Sequence, residues 1–161
     1  MKSVLFILWM SLISVSVCAQ DFASRFLESH KPDTNLNCVT ISPNMMEKVM
    51  NLDVQNEDKM MDIISKLKSM QMLTTQVNGQ KYYKEALSVL EKNSGRFVSF
   101  LTFDDKSENF QIMVRKKKDA IIELVMLMRE DDNFTVINFT GNMSKDFIAR
   151  LAKEMEPKTH N

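Results

Sequence analysis

Four consecutive runs, "RFVSFLTFDD" from Arg96, "ENFQIMVRKKK" from Glu108, "AIIELVMLMRED" from Ala120 and "NFTVINFTG" from Asn133, restrict the fold more than any other part of this chain. Each is rich in the β-branched, aromatic and long aliphatic residues that suit a pleated, buried surface. Polar turns of a few residues separate them. Connections that short join antiparallel neighbours, because a parallel crossover needs a dozen or more residues. The runs therefore predict an antiparallel meander of about four strands. The third is the ambiguous one, since "AIIELVMLM" lacks strict alternation and would also suit a helix; its length of about ten residues between two polar turns favours a strand.

Upstream the period is helical. "DFASRFLESH" sets Phe22, Phe26 and Leu27 on one side of a short helix, which "KPDTN" ends. "CVTIS" is a short β-branched strand. In "SPNMMEKVMN", Ser42 suits an N-cap with Pro43 at the first helical position, and Met46, Val49 and Met50 recur at helical spacing. "NEDKMMDIISKLKSM" repeats that pattern with Met60, Ile63, Ile64 and Leu67. "MQMLTTQ" alternates like a strand and stops at a turn pair, Asn78 and Gly79. "QKYYKEALSVLEKNSG" places Tyr83, Ala86, Leu87 and Leu90 on one helical stripe and finishes at Gly95. After the strands, "NMSKDFIARLAKEM" returns to helical spacing with Met143, Phe147, Leu151 and Met155. The expected class is α+β: a two-layer sandwich, with a mixed sheet ending in the meander and amphipathic helices covering one face.

The opening "MKSVLFILWMSLISVSVCAQ" has one cationic residue, an apolar core from Val4 to Val17, then small or polar residues. That is the pattern of a secretory signal peptide. A transmembrane helix needs roughly 20 mostly apolar residues; this run is shorter and diluted by Ser11, Ser14 and Ser16. Val17 and Ala19 suit a cut before Gln20, with Asp21 as the neighbouring option. Lipidation of Cys18 is the alternative. Val15 and Ser16 suit the lipoprotein pattern, whereas Val17, just before the cysteine, does not. The expected organisation is a leader over 1–20, one α/β domain over 21–155 and a disordered tail over 156–161.

Lys2 is the only charged residue of the leader, so the remainder carries 20 basic and 21 acidic groups. No charge footprint for nucleic acid is present, and a membrane enters only if Cys18 is lipidated. Cys38 is the one cysteine left, and in "NCVTIS" it is expected as a buried small hydrophobe.

"VTISPNMMEKVMN", "YYKEALSVLEKN" followed by "FVSFLTFDD", and "ELVMLM" followed by "VINFTGNMSKDFIARLAK" together resemble the Bacteroidota exported-protein family called domain of unknown function 4252. The last phrase is the most specific, a strand ending in Thr-Gly that turns straight into a helix. The resemblance implies a Gram-negative envelope protein of α/β fold. It implies no established biochemical activity and supplies no catalytic residues to carry over.

Candidate chemistry is sparse. Nucleophilic catalysis needs a nucleophile within reach of an oriented base, and the only such pair here is Cys38 with His30; His160 lies in the tail. There is no Gly-rich phosphate loop, no G-x-S-x-G elbow and no zinc spacing. Asp104, Asp105 and Glu108, and again Glu130, Asp131 and Asp132, fall in hairpin turns that favour such residues for their own backbone bonding. "RKKK" from Arg115 to Lys118 reads as a wet strand end. Methionine is the unusual component, with 12 of 14 outside the leader, among them Met45, Met46, Met50, Met60, Met61, Met70, Met72, Met126 and Met128. Thioethers select copper(I), but on apolar stripes they fill cores. The adjacent pairs Met45–Met46 and Met60–Met61 cannot all face inward.

The expected function is thus a non-enzymatic envelope module that binds an unidentified envelope protein, through a sheet edge or the Met-rich helical face. A binder of soft metal or small apolar ligands is the second reading, and a cryptic hydrolase the third. No catalytic, cofactor or metal residue is assigned.

Overall fold

The computed structural model describes residues 21–50 and 66–155. The elements run α1 (Phe22–Ser29), β1 (Asn37–Ile41), α2 (Pro43–Met50), β2 (Leu67–Thr75), α3 (Gly79–Lys92), β3 (Phe97–Asp104), β4 (Glu108–Lys117), β5 (Ala120–Glu130), β6 (Asn133–Met143) and α4 (Lys145–Met155). The last four strands form the expected meander. The strands make one sheet of order β1-β2-β6-β5-β4-β3, and every pairing in it is antiparallel. The mixed sheet expected from the sequence is therefore corrected. The run from residue 67 to 75 lies beside the last strand, opposite in direction, and β1 pairs outside it.

A second correction concerns the layers. Helices cover both faces of the sheet, not one. On the first face Phe22, Ala23 and Phe26 of α1 and Tyr82, Tyr83, Ala86 and Leu90 of α3 pack on Leu73, Met113, Val125, Leu127, Phe134 and Val136. On the second, Met46 of α2 and Phe147, Ile148 and Ala152 of α4 pack on Ile112, Leu124, Met126 and Phe139. The reason is legible in β5. Leu124 and Met126 face one side and Val125 and Leu127 the other, all four fully buried. An apolar run without alternation needs a cover on each side.

Three boundaries also differ. The helix expected up to Met70 gives way to strand at Leu67, because Leu67 pairs with Gly141 and Met70 with Phe139 of the central β6; Met60, Met61, Ile63 and Ile64 lie outside the described residues. Asn78 and Gly79 form no hairpin turn. Asn78, at φ 56°, caps α3, and Gly79 donates its N–H to Asp132 O at 2.9 Å. Strand β6 does not end at Thr140–Gly141 but continues to Met143, since Asn142 N–H still bonds Lys66 O at 2.9 Å. Helix α4 then starts on Ser144, whose Oγ accepts from Phe147 N–H at 3.1 Å. The leader expected over 1–20 and the tail expected over 156–161 lie outside the described residues.

Phe134 ties the first layer together, with ring centroids 6.2 Å from both Phe26 and Tyr82 and 6.5 Å from Tyr83. Phe134→Ala is expected to destabilise the fold by about 3–5 kcal/mol, read as a lowered urea midpoint at unchanged slope.

Candidate functional site

A buried polar network sits at the start of α1, and it bears on what the remaining polar groups can do. The first amides of a helix have no partner within it. Here Asp21 Oδ1 accepts from Ser24 N–H at 2.8 Å, Glu123 Oε1 from Phe22 N–H at 2.7 Å, and Asn138 Oδ1 from Ala23 N–H at 2.8 Å. The Glu123 side chain is fully buried, and its Oε2 is held by Arg115 through Nε at 2.7 Å and Nη2 at 2.7 Å. Asn138 returns to the network through Nδ2, which donates to Leu124 O at 3.1 Å. Every member has a structural partner. Arg115 is thereby corrected from wet strand end to inward ion-pair partner, while Lys116, Lys117 and Lys118 are exposed as expected.

A buried cation, Arg129, is 5% exposed. It donates to Asp131 O and Lys106 O, both at 3.1 Å, and to Asn109 Oδ1. It thus fastens the β3–β4 turn to the β5–β6 turn. The acidic residues singled out in the sequence lie at these two turns, where Asp105 N–H bonds Glu108 O at 2.8 Å and Asp131 N–H bonds Ser107 O at 2.9 Å.

His30 and Cys38 are not brought together as a nucleophile and its base. His30 Nδ1 lies 2.7 Å from Phe26 O and Nε2 lies 2.8 Å from Glu85 Oε2. Both acceptors can only receive hydrogen bonds, so the ring is oriented for holding α1 to α3. Beside it Tyr82 donates to Asp33. That bond, with the Asn35 backbone N–H, holds the Asp33 carboxyl below its usual range. Burial, then Asp33, raises the Tyr82 phenol. Cys38 is corrected: its thiol is free and exposed, because β1 is an outermost strand.

Tyr83 is pushed up to about 12, first by burial and then by the charge of Asp104. The folded chain therefore holds this proton more tightly than the unfolded chain, whose phenol titrates near 10. Stability from this group is intact below pH 10 and is lost as pH rises towards 12. In alkaline unfolding followed by circular dichroism, Tyr83→Phe is expected to flatten the decline, leaving the share due to Tyr82.

The methionines divide between packing and surface. Met46, Met126 and Met143 are buried in the second layer, with Met70 and Met128 packed against them, and Met113 is buried in the first. Met45 is 54% exposed. No group of three or more His, Cys, Asp or Glu among the described residues is placed to hold a metal ion, and no described helix is long and apolar enough to cross a membrane.

Two surfaces remain. One is an open groove of about 770 Å³ at the end of the sheet, lined by hydroxyls and amides including Thr34, Asn35 and Asn133. Its floor is a row across three strands, Asn37, Thr74 and Thr135. The other is strand β3, which, like the shorter β1, has a neighbour on one side only among the described strands. Phe97 is buried and Leu101 half-buried, whereas Val98, Phe100 and Phe103 are 48%, 41% and 36% exposed. From Phe97 to Phe103 there is neither charge nor proline. Edge strands are ordinarily guarded by one or the other. The single irregularity is Phe100, which β3 carries as an extra residue between the pairs Ser99–Met113 and Leu101–Ile112. The sequence implies an exposed sheet edge only in general terms; the place of β3 at that edge follows from the strand order.

No curated protein and no solved structure matches this chain. The profile of one family, described as Domain of unknown function (DUF4252), matches residues 30–151. That match takes in all six described strands and leaves out α1. With the whole described sheet and most of its sequence inside the matched span, the chain belongs to the DUF4252 family.

Proposed function

We propose that the protein is a non-catalytic module of the bacterial envelope that binds another polypeptide by adding one of its segments, as an extended strand, along β3. The observation that carries this reading is the uncharged run from Phe97 to Phe103, paired with β4 on one side only and bearing three large exposed apolar side chains. Strand addition uses the free backbone groups of such an edge for affinity and alternate side chains for specificity. The leader supports export. The engagement of His30 and of the buried ionisable residues by structural partners supports a role without chemistry of their own.

A photoreactive residue at Phe103 or Val98, activated in intact cells, is expected to yield adducts with polypeptide, and one at the exposed Glu91 of α3 to yield far fewer. Equal yields from all three positions would refute β3 as the docking surface. A copper(I) titration separates this reading from a thioether metal site: binding at one equivalent, lost in Met45→Leu, would favour the metal.

A further inference from the structure

Strand β3 carries opposite charge at its two ends. At its start Arg96 is exposed, and the neighbouring end of β4 adds exposed Lys116, Lys117 and Lys118, with Asp119 the single acid. At its finish Asp104 and Asp105 are exposed and Glu108 half-buried, with Lys106 the single base. Between the ends no residue is charged. Arg115 is excluded from this tally because Glu123 already engages it.

A strand with this pattern complements itself when turned end for end. We infer that the segment β3 takes up is β3 of a second copy of this chain, paired antiparallel about a two-fold axis so that the two sheets join as one. This rests on the strand-addition reading above and names its partner. Two-fold contacts are isologous, so one complementary pair occurs twice. Centring the axis between Phe100 and Leu101 sets Arg96 against Asp105 of the partner subunit, and Asp105 against the partner's Arg96. Parallel pairing would instead oppose like charges at both ends. The surplus of three positive charges at one end and two negative at the other makes the orientation strongly preferred, since like-charge juxtaposition penalises the wrong arrangement. Phe100, the extra residue, falls beside the axis, where its exposed ring gains cover.

The test is sedimentation velocity of the exported protein over a concentration series. A monomer–dimer equilibrium is expected, weakened when sodium chloride is raised from 0.05 to 0.5 M, because the end charges are exposed and screened. Arg96→Glu and Asp105→Arg are each expected to weaken the dimer by on the order of tenfold, and the double variant to recover most of the loss. A monomer at every concentration overturns the inference. So does a dimer indifferent to both reversals, or single-variant losses that the double variant compounds. Should the monomer still form β3 adducts with a different polypeptide in cells, strand addition stands and self-pairing falls; should neither occur, both fall.

Discussion

Glu123→Ala is expected to lower unfolding free energy by about 3–5 kcal/mol, the penalty for leaving one half of a buried ion pair without the other. Arg115 would lose both of its bonds to the carboxylate, and the Phe22 amide its acceptor. The damage should be uneven. Helix α1 reaches the sheet chiefly through β2 and β6, so its amides should lose hydrogen-exchange protection well below the denaturant concentration that opens β4 and β5. Glu123→Gln separates the two roles of the side chain. Its carbonyl can still receive the Phe22 amide while the charge opposite Arg115 is gone, so its effect should fall between alanine and wild type. Equal exchange in α1 and β5 for the alanine variant would mean that the network does not hold α1 as described.

Gly141→Ala is the second large effect. The residue adopts φ +143°, a backbone state closed to L side chains. Its missing Cβ would also press into the carbonyl oxygen of Lys66 and lie 2.7 Å from Leu67 Cα. Backbone strain and overpacking each cost about 1–3 kcal/mol. A combined loss of roughly 3 kcal/mol or more is expected from these two sources. The obstacle is main chain, so no side-chain rotation relieves it. Thermal unfolding by circular dichroism would show the shift, and a midpoint within a degree or two of wild type would contradict the close approach. The sequence marks the position only as the end of a strand. Its real role appears once β2 is seen to pair across it, with the register shifting between Leu67 and Ser69.

That example shows where sequence reasoning succeeds and where it stops. The meander was legible because four runs of about ten residues leave no room for crossovers. The ambiguous "AIIELVMLM" is a strand, as its length implied. What local pattern could not give was the neighbour of each early strand. Without it β1 has no status as an edge, and the β-branched setting of Cys38 points to the interior. The second helical layer was likewise missed, although its signal was present: "IMV" in β4 and "LVML" in β5 are apolar at odd and even positions alike. Of the polar residues that matter, Glu123 had the clearest mark, a lone carboxylate inside an apolar run. Arg115 had none, since it opens a run of four cations and only its alternation with Lys116 turns it inward. The edge character of β3 shows in its uncharged middle, but an interior strand such as β6 is no less free of charge.

The position of β2 sets the order in which this sheet can be completed. Its central partner, β6, lies far along the chain, Thr75 pairing with Phe134 and Leu67 with Gly141, and β1 joins the sheet only through β2. The meander β3 to β6 can zip from local turns alone, while the first two strands must wait until almost the last residues have arrived. Emergence from a ribosome or a translocation channel therefore leaves β1 and β2 unsheltered for most of its passage, and a chain stopped short of Asn133 would keep these two strands without a dock.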